Sequence, residues 1–284
     1  MEPSARQFWT IVEPLHAVTY FAPDALAELE AVGYRGFWRG YFAGRSAPLG
    51  HTGPAVVSAV FYGFAPRMVA RALPSVWDLA PPPVALQARR SGAGKALAAT
   101  FAAHDVVAPA EAMDRIAELL RRVVRTVDGS GRPLGAANAT LDWPDEPVQA
   151  VWHACTVLRE TRGDGHVAAL LTAGLSGLET LVLRSHLDLD RLMLQPARGW
   201  TDEEWYSASD QLRDRGLLEG TQVTARGTLL LQEVETVTDR LAEQPWTCLS
   251  PDERAHLARL LAPLSAAAAT WLPKRNPIGL PSNS

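Results

Sequence analysis

The side chains best suited to acid–base chemistry are concentrated in the middle of the chain. His153 and Glu160 are seven residues apart, so on a helix they share a face, where the carboxylate could orient the imidazole. Gly163 and Gly165 predict a chain reversal, with the aspartate between them as N-cap, so that His166 begins the next helix. The positive end of a helix favours a neutral imidazole, which can accept a proton.

The same residues also have a purely structural interpretation. Arg159, Glu160, Arg162 and Asp164 would form ion pairs at a corner of the fold, while the histidines cap helices or pack against them. The sequence leaves both interpretations open.

Glu13 and His16 place a second carboxylate and imidazole at i, i+3. Di-metal bundles need this spacing twice, but Ala150 stands where the second glutamate would fall. We therefore expect no cofactor. One alternative stays open, a single metal ion bound by four residues: His16, His153, Glu160 and His166.

Arginines stand among aromatic residues in the segment Phe-Trp-Arg-Gly-Tyr-Phe-Ala-Gly-Arg. Trp38 and Tyr41 offer aromatic faces, and Arg39 and Arg45 could pair with a carboxylate. The pattern is typical of a site for an aromatic or anionic ligand, and equally of a core helix whose arginines extend to water. His51, in the Gly/Pro loop that follows, could close such a site or lie on the surface.

Apolar periodicity predicts a mainly helical chain. The capping pair Thr201 and Glu204 begins a helix that Gly216 ends, and a short strand pair is predicted around Glu219 and Gly220. Other helices are predicted over residues 8–32 in two pieces, 84–103, 110–127, 146–159, 166–183, 224–241 and 250–271.

The two halves of the chain share a short pattern. His16-Ala-Val-Thr is matched by His153-Ala-Cys-Thr, and an Arg-Ser pair follows 29 residues after the first histidine and 31 after the second. A tandem duplication would place a shared pocket between the halves.

The segment from Trp200 to Leu218, with Val223-Thr-Ala-Arg-Gly after it, resembles the winged-helix half of MarR-like regulators. In MarR-like regulators a recognition helix ends at an Arg-Gly-Leu-Leu type turn, and a β-wing leads from that turn to a long dimer helix. Through residues 38–45 and 162–166 the whole chain is similar to an actinobacterial branch of that group. The resemblance implies a mainly α, winged helix-turn-helix fold, DNA binding and a homodimer.

This resemblance and the shared pattern together predict two degenerate winged-helix repeats around a central pocket. A segment rich in Gly, Asn, Asp and Pro separates them. The predicted division is an N-terminal half over 1–128, a linker over 129–145, a winged-helix half over 146–246, and a last helix and tail over 247–284.

The charges of the winged module argue against DNA binding. The first turn of the predicted recognition helix, Asp202 to Glu204, carries three carboxylates that would face phosphates. Residues 181–245 contain seven arginines and twelve acidic residues, a net charge of −5. Because DNA binders neutralise several phosphates, we expect DNA binding to be weak or lost.

Composition narrows the remaining classes of function. The chain has 284 residues, a net charge of −4 and two cysteines, which excludes a disulfide framework and the basic balance of a general nucleic-acid binder. The apolar stretch Val167–Leu183 is too short and too interrupted to span a bilayer. We expect a cytoplasmic protein with no membrane association.

The first hypothesis is a pocket that senses a small molecule or performs cofactor-free acid–base catalysis in specialised metabolism. In the enzyme version Arg39 or Arg45 anchors an anionic group, and His153 or His166 moves the proton. The alternatives are a ligand-responsive DNA-binding regulator and a protein-interaction scaffold. The predicted catalytic residues are Glu13, His16, His153, Glu160 and His166, and the predicted ligand-binding residues are Tyr20, Trp38, Arg39, Tyr41, Arg45, His51 and Arg162.

Overall fold

The computed structural model describes residues 3–106, 110–274, 276, 278 and 280, and these residues are mainly helical. Proline stands in the first turn of several helices, where its missing N–H leaves no hydrogen bond unmade. The first half contains α1 (Ala5–Phe21), α2 (Pro23–Ala31), α3 (Phe37–Ser46), α4 (Pro54–Val60), α5 (Pro66–Ala70), α6 (Val76–Leu79), α7 (Pro82–Ala103) and α8 (Ala110–Arg125).

The second half confirms the predicted capping box and strand pair. The Thr201 hydroxyl accepts from the Glu204 N–H, the Glu204 carboxylate accepts from the Thr201 N–H, and Leu218 pairs with Val223 in a two-stranded antiparallel hairpin. The elements are α9 (Pro133–Ala139), α10 (Pro147–Thr172), α11 (Gly177–Ser185), α12 (Arg191–Arg198), α13 (Asp202–Asp214), β1 (Leu218–Glu219), β2 (Gln222–Val223), α14 (Ala225–Glu243) and α15 (Pro251–Ala268).

Buried apolar side chains form three groups. The central group joins α1, α7, α8, α10 and α15, and in it Phe8 stacks on Trp246 with ring centroids 3.8 Å apart. A second group, around Phe42 and Phe61, lies within the first half. A third, around Trp205, joins the end of α10 to α11, α12, α13 and α14. A central helical layer therefore supports one peripheral unit from each half.

The central layer is built by reciprocal packing between the halves. α1 packs against α15 of the second half, and α10 packs against α8 of the first. Within the halves, α1 packs on α7 and α10 packs on α14. α1 and α10 also contact each other at the centre. The main core is therefore shared, because each half completes it with its last helix.

The predicted chain reversal between residues 159 and 166 is wrong. α10 continues through Gly163, Asp164 and Gly165, and Asp164 is not an N-cap: its carboxylate accepts a hydrogen bond from the Gly135 N–H at 2.8 Å. The physical reason is packing, since a Cβ at Gly165 would lie 3.3 Å from the Leu241 side chain. Gly165 lets α14 approach α10, and the following histidine lies within the helix.

The predicted linker over 129–145 contains α9, which packs on α10. A Cβ at Gly135 would lie 2.6 Å from the Thr161 hydroxyl, and Leu134 and Asn138 are buried. This segment therefore joins the halves through packing. The last residues of the predicted tail, 281–284, lie outside the described residues.

Among the described residues, no single helix is both long enough and apolar enough to cross a membrane. Only α10 and α11 taken together meet that length and composition, and they are bent by 94° at the break between them.

Candidate functional site

A cavity of about 1090 Å³ lies between α1 and α3 of the first half and α10, α11, α12 and α14 of the second. Its volume is at the upper end of the roughly 300–1000 Å³ of typical small-molecule sites. Its aromatic lining residues are Trp9, Tyr20, Phe21, Phe37, Trp38 and Tyr41. Its arginines are Arg6, Arg159, Arg162, Arg184 and Arg198.

A buried ion network supports one wall of the cavity. Arg45 donates two hydrogen bonds to Glu160, at 2.9 and 3.0 Å, and Arg159 donates a third at 2.8 Å. Arg159 also reaches Glu13 at 3.2 Å, and Trp9 donates to that carboxylate at 2.8 Å. Burial alone would raise the pKa of Glu160, but the two guanidinium groups hold it well below its ordinary value. Of the four residues in the ion-pair interpretation of the sequence, Arg159 and Glu160 do pair, whereas Arg162 pairs with Glu235 and Asp239, and Asp164 accepts from the Gly135 N–H.

Tyr20 is held at the cavity wall by a chain of hydrogen bonds. Thr156 donates to the Trp152 carbonyl at 2.9 Å, so its oxygen accepts from His16 Nδ1–H at 3.0 Å. His16 Nε2 is then unprotonated and accepts from the Tyr20 hydroxyl at 2.9 Å. Burial, with Arg159, lowers the pKa of His16 well below its ordinary value. His16 therefore orients Tyr20 from behind the wall.

His166 is the imidazole that lines the cavity. Thr238 donates to the Val234 carbonyl at 2.7 Å, so its oxygen accepts from His166 Nδ1–H at 3.0 Å. Burial lowers the pKa of His166, although Glu235, 3.6 Å away, acts in the opposite sense. The neutral ring leaves Nε2 as an acceptor. It can take a hydrogen bond or a proton from a bound molecule.

His153 does not line the cavity, although it was predicted to move a proton there. It is buried, with its ring 5.5 Å from the Trp143 ring in an edge-on arrangement. Burial, with Arg89, lowers its pKa to about 4, so it is neutral at pH 7. The predicted partner Glu160 instead pairs with arginines.

The other predicted residues divide by position. Arg39 and His51 are exposed and do not line the cavity, and the His51 ring lies 5.9 Å from that of Trp77. Arg45 lies behind the cavity wall, where its guanidinium forms an ion pair with Glu160. The predicted residues that line the cavity are Glu13, Tyr20, Trp38, Tyr41, Arg162 and His166.

Sequence reasoning missed Trp9, Glu235 and Arg198 as lining residues. The i, i+4 spacing of Trp9 and Glu13 on α1 could have revealed their hydrogen bond. No local signal distinguishes Arg198, because its place at the cavity depends on how the halves meet.

The four residues considered for a single metal ion have separate partners. His16 contacts Thr156 and Tyr20, whereas His166 contacts Thr238. Across the described ranges, no three His, Cys, Asp or Glu side chains are grouped so as to hold a metal ion.

The outer surface of α13 is acidic. Its exposed residues include Asp202, Glu203, Asp210 and Asp214, against Arg213, which pairs with Asp210. At the start of the helix, Arg67 of the first half forms an ion pair with Glu204. One side of the predicted recognition helix is therefore tied to the other half of the chain.

A family model described as a helix-turn-helix family matches residues 5–273. The chain belongs to this helix-turn-helix family. No curated protein and no solved structure matches the chain. Because the family match extends over both halves, it includes the elements that surround the cavity as well as α13 and the hairpin.

In this helix-turn-helix protein the cavity and the acidic surface are separate. The cavity is lined from α1, α3, α10, α11, α12 and α14, and no residue of α13 contributes to its lining. The two surfaces can therefore be tested independently by substitution.

Proposed function

We propose that this helix-turn-helix protein binds an aromatic small molecule in the cavity between its halves. The observation that carries the proposal is the aromatic lining of a cavity large enough for such a ligand. Tyr41 lies at the centre of that lining, with its ring 5.1 Å from that of Tyr20 and 5.6 Å from that of Trp38. Such surfaces favour flat rings through stacked and edge-on contacts.

We also infer that the two halves are related winged-helix repeats, the second of them MarR-like. Each half has a long first helix, a set of shorter helices, a second long helix and a last helix. The reciprocal packing of α1 with α15 and of α10 with α8 supports this inference. The first half has no strand among its described residues, so its repeat would be degenerate.

A cavity-filling substitution tests the binding proposal. Gly163 lines the cavity from α10, and a Cβ there would make only ordinary contacts, 3.9 Å from Arg159 and Glu160. Gly163→Leu should fold and place its side chain in the cavity. It should weaken binding of the neutral fluorescent probe N-phenyl-1-naphthylamine at least about tenfold, measured by titration with energy transfer from tryptophan.

Gly163→Ala is the matched control. It adds a methyl group at the same position, should stabilise α10 by about 0.5–1 kcal/mol, and should keep the probe affinity close to that of the wild type. The binding proposal is wrong if the wild type does not bind the probe, or if the leucine variant binds it as tightly as the alanine variant does.

A DNA-binding regulator is the second candidate, favoured by membership of a helix-turn-helix family. The acidic surface of α13 opposes it, because carboxylates facing phosphates repel them. We expect no retardation of duplex DNA at about 150 mM NaCl, with or without ligand. Sequence-dependent retardation at that salt concentration would instead establish the regulator.

A further inference from the structure

Among the residues that the structure describes, one arginine of the cavity has no carboxylate partner. Four of the cavity's five lining arginines form ion pairs. Arg6 and Arg162 both pair with Glu235 and Asp239. Arg159 pairs with Glu13 and Glu160, and Arg184 pairs with Asp188. Arg198 forms no ion pair with any described residue. It is the fifth.

The surroundings of Arg198 are apolar and cationic. Its guanidinium carbon lies 4.6 Å from the centre of the Phe64 ring, and the one hydrogen bond that the guanidinium makes with the described residues is long, 3.3 Å to the Ala197 carbonyl. Burial lowers its pKa, and Arg45 and Arg159 act in the same direction. A half-buried charge without a counter-charge is costly, and an anion that entered the cavity would remove that cost.

The backbone fixes Arg198 in place. It is the last residue of α12, and Gly199 after it adopts a left-handed conformation with φ 76°. The Arg198 carbonyl accepts from the Ala65 N–H at 2.8 Å, and the indole of Trp200 donates to the Gly63 carbonyl at 2.9 Å. Both contacts join the halves, so their docking fixes the backbone from which the Arg198 side chain extends before any ligand binds.

Arg198 also lies where the main cavity meets a second one of about 230 Å³. The two cavities share Tyr41, Arg159, Gly163, His166 and Arg198 as lining residues. A ligand that contacts the ring of Tyr41 therefore lies in the same part of the cavity as Arg198, whose guanidinium can pair with an acidic group on that ligand.

We propose that Arg198 is the anchor for the carboxylate of an aromatic ligand. The inference rests on the proposed function and adds the chemical class of the ligand, an aromatic carboxylate. The guanidinium would donate to the carboxylate in the bidentate arrangement that arginine favours, while the aromatic lining holds the ring. Arg39 and Arg45, considered from the sequence for this role, are respectively outside the cavity and occupied by Glu160.

The test compares 2-naphthoate with its neutral isostere 2-naphthamide as competitors of N-phenyl-1-naphthylamine. On the wild type the acid should displace the probe at about a tenfold lower concentration than the amide does. Arg198→Met keeps the packing on Phe64 but removes the charge, so the acid and the amide should become equal competitors. Arg198→Lys keeps the charge and should restore part of the preference.

Arg71→Met, an exposed arginine outside the cavity, is the control and should keep the wild-type preference. Probe binding shows in every variant that the cavity is intact. If the probe does not bind the wild type, the proposed function fails. If it binds but the acid is not preferred, or if the preference survives Arg198→Met, only the assignment of Arg198 is overturned.

Discussion

Replacing Glu160 with glutamine is expected to lower the free energy of unfolding by about 4 kcal/mol. The carboxylate is 1% exposed and neutralises both Arg45 and Arg159. Glutamine has nearly the same shape but no charge, so both guanidinium groups would remain buried, Arg159 with Glu13 and Arg45 without a carboxylate among the described residues. Removing one partner of a buried ion pair costs more than the pair contributes, because the remaining charge stays desolvated.

Urea denaturation at pH 7 measures the effect, with Glu203→Gln on the exposed surface of α13 as the control. Replacing Arg45 with methionine in the Glu160→Gln protein should recover part of the loss, since it removes one uncompensated charge. A loss no larger than that of the control would contradict the ion network.

The same variant should change the response to acid. The folded-state pKa of Glu160 is depressed, so the stability it contributes is complete above the ordinary glutamate pKa of about 4.3 and is lost as the pH falls below it. The difference in stability between the wild type and Glu160→Gln should therefore shrink below about pH 4. A difference that stays constant down to pH 3 would show that Glu160 is not responsible.

Replacing Gly177 with alanine is expected to cost about 3 kcal/mol or more. Gly177 is the first residue of α11, and a Cβ there would lie 1.9 Å from the Tyr62 carbonyl oxygen of the first half. The obstacle is backbone, which cannot rotate away as a side chain can. The two segments would have to separate, and the hydrogen bond from the Tyr62 hydroxyl to the Leu175 carbonyl would lengthen.

Gly163→Ala again provides the control, as a helical glycine at which a Cβ makes only ordinary contacts. Denaturation midpoints should move in opposite directions for the two alanine variants. Because the contact at Tyr62 adjoins the one that fixes Arg198, Gly177→Ala should also reduce the preference for 2-naphthoate over its amide. Unchanged stability would mean that the halves do not meet at Gly177.

The parts of the fold that local chemistry determines could be predicted. The capping box of Thr201 and Glu204, the glycine stop at Gly216 and the hairpin all follow from interactions within a few residues, and the structure confirms each. The helical character of the chain follows equally from apolar periodicity.

The interpretation of the glycines in α10 was wrong because a glycine in a sequence can have either of two physical causes. Glycine permits a chain reversal, and it also permits close approach of neighbouring elements. Gly165 serves the second purpose, against Leu241. Only the position of α14 distinguishes the two causes, and no pattern within α10 contains it.

The candidate site was predictable where its residues share a helix and not where they meet across helices. The aromatic residues of α3 were recognised by their spacing, and Trp38 and Tyr41 line the cavity. Which arginine lacks a carboxylate depends instead on pairs such as Arg45 and Glu160, which are 115 residues apart. Arg198 therefore could not be selected before the halves were assembled.

The reciprocal packing of the four central helices has a consequence for how the site can change. In a symmetric oligomer of identical chains every residue occurs once in each copy. A substitution on one side of the symmetry axis therefore also occurs on the other side. Here both sides of the central layer belong to one polypeptide, and each position varies alone. Glu13 can carry a carboxylate while Ala150, its counterpart in the sequence pattern, carries a methyl group. This chain can therefore form an asymmetric site, and the assembly of that site does not depend on protein concentration.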